Sequence, residues 1–218
     1  MYGRKHGEEM KTIKDGEVRR REILMVARKL FVQKGYDKTS INDILEIVDI
    51  AKGTFYYYFS SKEEVLESII VDIVDEGVNK AKGILTNRSI PIFERIMMAI
   101  MAQRPDFEGA QEIQKEMHKV ENTKLEQLYL KHLLKKLPPL LAETLKEGNE
   151  EGSVKVENPL ECMESILLLG HMFFDCNICD WQVEEFPVKI QSYLSNIEKM
   201  CGVEKGKLQS FKAMFGQL

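Results

Sequence analysis

The stretch 39–62 constrains this chain more than any other. It reads Thr-Ser-Ile-Asn-Asp-Ile-Leu-Glu-Ile-Val-Asp-Ile-Ala-Lys-Gly-Thr-Phe-Tyr-Tyr-Tyr-Phe-Ser-Ser-Lys. Ile41, Ile44, Leu45 and Val48 recur at helical spacing, and Phe55 and Phe59 stand four apart, one turn of a second helix. Two short helices around a tight turn follow from this pattern. The second turns its two Phe inward and offers Lys, Thr and three Tyr outward, hydroxyls and one cation of the kind that meet phosphate oxygens and base edges. The plainer reading, that Tyr56, Tyr57 and Tyr58 form a packed aromatic cluster, asks three consecutive helical residues to be buried together, and no partner stripe is evident.

Helical patterning continues on both sides. Ile23, Ala27, Leu30 and Phe31 give one apolar face to a helix over residues 17–34, closed by Gly35. Thr39 or Ser40 caps the next helix, with Asp43 in its first turn. Ser60 or Ser61 caps a fourth, whose stripe of Val65, Leu66, Ile69, Ile70 and Ile73 reaches about Gly83. Beyond it the pattern predicts helices from Pro91 to about Gln103 and from Phe107 to His118. A longer one starts at Asn122 or Thr123, kinks at Pro138-Pro139 and ends near Gly148 to Gly152. Asn158-Pro159 opens another to about Asp180, Pro187 to Met200 forms a further one, and Lys205 to Phe215 a last short one. No run alternates as a strand does. The fold class expected is therefore all-α, with a boundary near residue 62: a flexible basic arm over 1–16, a compact three-helix head over 17–62, and a larger helical domain over 63–218.

Charge divides along the same line. Residues 1–60 carry 12 Lys/Arg against 9 Asp/Glu, whereas residues 61–218 carry 19 against 26, so a net charge of -4 hides a locally positive head. No apolar run reaches the ~18 residues of a membrane helix, the first residues lack the apolar stretch of a signal peptide, and four Cys in 218 residues make no disulfide scaffold. The expectation is a reduced, cytoplasmic protein without membrane contact.

Residues 20–70 resemble the TetR family of one-component transcriptional regulators. The resemblance rests on Lys52-Gly53-Thr54-Phe55-Tyr56-Tyr57-Tyr58-Phe59, on Ser61-Lys62-Glu63-Glu64-Val65, and on Phe31 with Gly35-Tyr36 at the end of the first helix. Three positions depart from the family pattern: Leu45 replaces a small residue, Asp49 the turn Gly, and Ala51 the Ser that caps the third helix. The resemblance implies an N-terminal three-helix DNA-binding domain with a helix-turn-helix, followed by a C-terminal helical ligand-binding and dimerisation domain. It implies that Thr54 and Tyr56 reach bases or sugar, that Tyr57, Tyr58 and Lys52 reach phosphates, and that Gly53 lets the DNA backbone come close. Thr39 or Ser40 at the start of the second helix and Lys62 at the start of the fourth are expected to hold phosphates through backbone N–H groups and the helix dipole. With one Lys and no Arg on the third helix, specificity leans on half-site spacing and DNA shape.

The helix from Pro159 is apolar nearly all round (Leu160, Met163, Ile166 to Leu169, Met172 to Phe174), so it needs cover on two sides. A homodimer through helices near 159–180 and 187–201 supplies it, and a palindromic double-stranded operator is the matching DNA. The resemblance further implies release by a small molecule. Met97, Met101, Phe107, Met117, Tyr129, Met172 and Phe173 are the candidate lining of an adaptable apolar site for an unknown apolar or amphipathic effector, and each serves equally well as ordinary core. Cys176 and Cys179, with Cys162 and His171 on the same helix, suggest a thiol- or metal-responsive alternative. A lone CxxC without a second pair is a weak zinc signal, and His118 and His132 read as surface or pocket-edge groups. No metal and no cofactor are called for. A redox enzyme lacks its strand-rich frame and Gly-rich loop here, and a DNA-associated structural module without ligand is the remaining alternative.

Overall fold

The computed structural model describes residues 3–119, 122–175 and 181–212, and among these every regular element is helical. The main helices are α1 (Gly3–Lys34), α2 (Ile41–Val48), α3 (Lys52–Tyr58), α4 (Lys62–Leu85), α5 (Ile92–Met101), α6 (Ala110–Met117), α7 (Thr123–Glu150), α8 (Pro159–Gly170) and α9 (Phe186–Met200). A π-helical turn, His171–Asp175, continues α8, and 3-10 turns occupy Val183–Glu185 and Gln209–Phe211.

Several expected boundaries shift. α1 begins at Gly3, so most of the expected flexible arm lies within a helix. The segment has no proline to interrupt the helix. Pro91 precedes α5 as its cap instead of opening it. α6 starts at Ala110 because Gly109 stands before it in the left-handed region at φ 80°. α7 runs through Pro138 and Pro139 without ending, although each proline withdraws the donor that a carbonyl one turn back would have used. α8 stops as an α-helix at Gly170, and residues 176–180 lie outside the described part.

The chain forms two compact units, and their boundary is not the one read from sequence: Met1–Asp72 with Asp106–Glu126, and Ile73–Pro105 with Gln127–Leu218. In the first unit Ile23, Leu24, Ala27, Leu30 and Phe31 of α1 are buried, as are Ile44, Phe55, Phe59 and the first half of the α4 stripe, Val65 to Ile70. That half of α4 belongs to the head because its apolar residues have their cover there. α6 packs on α1, burying Ala110, Ile113 and Met117. The Arg28 guanidinium lies 3.5 Å from the centroid of the Phe107 ring, and Lys119 pairs with Asp37 at 2.8 Å and Glu116 at 2.7 Å. Gly109 is the tightest point of this seam: a Cβ there would stand 2.0 Å from a Val32 methyl.

The second unit has one contiguous core built from the later part of α4 (Val74, Val78, Ala81), from α5 (Ile96, Met97), α7 (Leu137, Leu141, Leu145), α8 (Met163, Ile166) and α9 (Leu194, Ile197). A buried cation organises its edge. Arg95 donates to the carbonyl of Leu85, the last residue of α4, at 2.8 Å, and to Glu147 of α7 at 3.1 Å. Pairing and hydrogen bonding together make that burial tolerable. Tyr193 of α9 donates its hydroxyl to the carbonyl of Ile166 at 2.7 Å, where α8 gives way to the π-helical turn.

The α1–α6 seam gives a first prediction. Gly109→Ala places a side chain both in left-handed backbone and against Val32, and should lower stability by roughly 1–3 kcal/mol. Urea unfolding followed by circular dichroism measures this; an unchanged midpoint would mean that the seam is looser than its geometry.

Candidate nucleic-acid interface

The interface is built on α2 and α3. Ser40 is the N-cap of α2: the Asp43 N–H donates to Ser40 Oγ at 3.2 Å, and the Ser40 N–H donates to Asp43 Oδ2 at 2.7 Å. This reciprocal capping box satisfies two orphan donors of the first turn. Lys34 closes on Asp43 Oδ1 at 2.7 Å. That ammonium first, and the Ser40 backbone and hydroxyl after it, hold the Asp43 carboxyl well below the usual carboxylate range.

The turn after α2 places Asp49 in left-handed backbone at φ 55° and ψ 56°, with its N–H returned to the Leu45 carbonyl. Asp replaces the usual Gly there and accepts the same conformation, as short polar residues do at modest cost. α3 follows with Ala51 as N-cap and no side-chain capping bond. Phe55 and Phe59 are fully buried, their ring centroids 5.9 Å apart. Driving those two rings inward turns the opposite side of α3 to solvent. Tyr57 is 82% exposed and Tyr56 45%; Lys52 and Gly53 are exposed, and Thr54 and Tyr58 half-buried. The Tyr57 and Tyr58 rings meet edge to face at 5.0 Å, and the Lys52 ammonium stands 5.9 Å from the Tyr56 centroid. A Cβ built on Gly53 meets no heavy atom within 4 Å, so nothing in the free protein requires glycine at that point.

The side chains of two of the residues expected at DNA are engaged within the protein. Thr39 is buried, and its hydroxyl donates to the Gly35 carbonyl at 2.8 Å, while its N–H donates to Tyr36. Its side chain therefore holds the α1–α2 turn and does not face a ligand. Lys62 likewise points inward: Nζ donates to the carbonyls of Tyr36 at 2.8 Å and Thr39 at 3.0 Å, and lies 4.0 Å from the Tyr36 ring centroid. Tyr36 is bonded in turn to Glu63; burial first, and the Glu63 carboxylate next, push its phenol well above the usual range. Of the nine residues expected at DNA, seven (Ser40, Lys52, Gly53, Thr54, Tyr56, Tyr57 and Tyr58) are exposed or half-exposed on α2 and α3. Lys62 and Thr39 build the frame.

The expected effector lining is also divided. Phe107 and Met117 fall in the head unit, on the α1–α6 seam. Met97 is fully buried core, Met101, Tyr129 and Phe173 pack partly buried against that core, and Met172 is 36% exposed. Tyr129 and the buried His171 stack with centroids 5.9 Å apart, and Phe173 meets Phe174 and Trp181 edge to face. Cys176 and Cys179 lie outside the described residues, and no cluster of metal-ligating side chains occurs among the described ones. None of the described helices is long and apolar enough to cross a membrane.

A buried aromatic pair beneath an exposed tyrosine face, on the second helix of a capped helix-turn-helix, defines a DNA-binding head. Residues 23–69 match the family model for bacterial regulatory proteins of the tetR family, and residues 107–196 match the tetracyclin repressor-like C-terminal domain. The chain belongs to the TetR family of transcriptional regulators. It is 23% identical over 184 residues to the HTH-type transcriptional regulator YhgD of Bacillus subtilis, spanning 83% of this chain and 93% of that one. It is 31% identical over 84 residues to the repressor KstR2 of Mycolicibacterium smegmatis, 38% of this chain and 40% of that one. Its fold is similar to that of RolR, solved in complex with resorcinol, with a TM-score of 0.60 at 18% identity, covering 94% of this chain and 97% of RolR.

Two substitutions probe α3. Ala51→Ser supplies the missing cap and should add about 1 kcal/mol of stability, seen as a raised denaturation midpoint; a midpoint that stays put would show that the first turn of α3 gains nothing from a cap. Gly53→Ala has room in the free protein and should leave the midpoint equal or higher by roughly 0.5–1 kcal/mol. A methyl at a surface meant for close backbone approach should weaken DNA binding by about tenfold, ~1.4 kcal/mol, in fluorescence anisotropy. Unchanged affinity would remove α3 from the interface.

Proposed function

We propose that this regulator is a homodimeric repressor that holds a palindromic operator through α3 and the start of α2, and leaves it when a small apolar or amphipathic effector enters the second unit. The observation that carries the reading is the outward tyrosine face of α3 over buried Phe55 and Phe59. Tyr57, Tyr58 and Lys52 supply phosphate contacts, Thr54 and Tyr56 reach base edges or sugar, and Gly53 permits close approach. Phosphate contacts of this kind make affinity fall with salt.

The dimer reading rests on apolar side chains that α8 and α9 leave exposed: Leu160, Leu168 and Leu169 on one, Val188 and Met200 on the other, with Met172 just beyond α8. Exposed leucines next to a fully formed core mark a surface that a second copy covers. The effector reading rests on the aromatic group around the π-helical turn, Tyr129, His171, Phe173 and Phe174, since π-turns recur at functional sites. Rings with one buried imidazole suit a small molecule that has an aromatic or apolar body and a polar edge. Release then requires that the effector favour one of two states of the chain. The segment 106–126, fastened to α1 and continuous with α5 and α7, is the natural carrier of that difference. The thiol-responsive alternative rests on Cys176 and Cys179, which lie outside the described residues.

The test is binding of the full chain to DNA flanking its own gene. The expected result is protection of an inverted repeat whose half-sites lie about one helical turn apart or a multiple of it, by a species that light scattering sizes as a dimer. Leu169→Lys should convert that species to monomer and abolish protection while the helical content stays unchanged. A monomeric wild type, or indifference to every inverted repeat at low ionic strength, would end the reading.

A further inference from the structure

The pattern of the chain draws attention to Cys176 and Cys179, but the structure brings a different pair of thiols together. Cys162, one turn into α8, and Cys201, the residue that ends α9, are both free, and their sulfur atoms stand 3.9 Å apart. The backbone holds them in place independently of the sulfurs. The Cys162 N–H donates to Asn158 at 3.0 Å, the Cys201 N–H to Ile197 at 2.9 Å, and the Cys201 carbonyl accepts from Lys155, just ahead of α8, at 3.0 Å. Behind Cys201, Glu198 accepts the N–H groups of Gly206 and Leu208, at 2.9 and 2.8 Å, which fixes the chain that follows. A disulfide needs sulfurs about 2.05 Å apart, so each has about 1 Å to travel for the bond to form.

The two thiols differ in character. Cys162 sits near the positive end of α8 and is the more open of the two, 9% exposed against 0% for Cys201. The contact with Cys201 holds Cys162 below the usual thiol range, while the same contact first, and burial after it, push Cys201 up. A sulfur held in contact with a second thiol is placed so that a sulfenic acid on one is resolved to a disulfide by the other; both are buried in the folded chain, Cys162 at the edge of burial.

We propose that Cys162 and Cys201 are a hydroperoxide-sensitive pair that closes into an intramolecular disulfide joining the start of α8 to the end of α9. The Cys162 thiolate attacks one oxygen of hydrogen peroxide; the O–O bond breaks, the sulfur becomes a sulfenic acid, and the departing hydroxide takes a proton and leaves as water. The Cys201 sulfur then attacks the sulfenic sulfur. The S–S bond forms, the S–O bond breaks, and the hydroxyl leaves with the Cys201 proton as a second water. Two thiols have given up two electrons and two protons, and one peroxide has become two waters. The bond fastens two helices of one unit to each other; its consequence for operator binding rests on the dimer reading above, whereas the bond itself does not.

The full chain, treated with graded hydrogen peroxide, alkylated under denaturing conditions and digested without reductant, decides the matter by mass spectrometry. The expected product is the Cys162 peptide joined to the Cys201 peptide, two hydrogens lighter than the pair, undone by dithiothreitol, and accompanied by an unfolding midpoint several degrees higher. The same link should form in a Cys176→Ser, Cys179→Ser double variant. In Cys201→Ser, dimedone should label Cys162; in Cys162→Ser, Cys201 should remain alkylatable. Cys162 and Cys201 both staying alkylatable under peroxide that oxidises other cysteines, or Cys162 joining any residue except Cys201, overturns the proposal. The wild-type map settles this even if a serine variant fails to fold.

Discussion

The head of this regulator depends on one ammonium group. Lys62, the first residue of α4, reaches back across the chain to the carbonyls of Tyr36 and Thr39 and lies on the Tyr36 ring. Hydrogen bonds from a charged donor contribute about 1.5–3 kcal/mol each when partly shielded. Two of them fasten the α1–α2 turn to the start of α4, and everything between, the whole of α2 and α3, is a closed loop with fixed ends. Thr39 tightens the same turn from inside by bonding Gly35, and Arg20 adds a second tie from α1 to α4 through Ser68 at 2.9 Å. With its ends fixed, α3 has only its own rotation to settle, and Phe55 and Phe59 settle that by burial. The tyrosines face outward because of what lies beneath them.

Local chemistry was readable in the sequence wherever the interaction is local. Asp43 falls in the first turn of α2, where the helix dipole favours a carboxylate; Phe55 and Phe59 at i, i+4 announce an inward face; Asp49 announces a turn that tolerates left-handed backbone. Direction was not readable where two opposite uses share one residue type. A lysine in the first turn of a helix serves a bound phosphate or the carbonyls of a neighbouring turn equally well, and the choice lies in where Tyr36 and Thr39 end up, 26 and 23 residues away. Thr39 shows the same ambiguity on a shorter scale: threonine and serine are adjacent, either caps a helix, and only the three-dimensional turn shows that Ser40 caps while Thr39 is buried.

Phe107 and Met117 mark the other limit. Apolar residues in a C-terminal helical region read naturally as lining for an apolar effector. Their actual cover is α1, which the chain approaches closely at Gly109, beside a pairing of Lys119 with Asp37, which stand 82 residues apart. No periodicity encodes a pairing at that separation. The same holds for Cys162 and Cys201, 39 residues apart, whereas the nearer Cys176 and Cys179 draw the eye because their spacing is short enough to resemble a motif.

That segment also interrupts the sequence of the second unit. Residues 106–126 belong to the head unit, yet the chain enters them from Pro105 and leaves them through Gln127, both in the other unit. Together with the passage at Asp72 and Ile73 inside α4, the polypeptide crosses between units three times. The two further crossings flank α6, whose place in the head rests on contacts within that unit: the Arg28 guanidinium over the Phe107 ring, the close approach of Gly109 to Val32, and the pairing of Lys119 with Asp37.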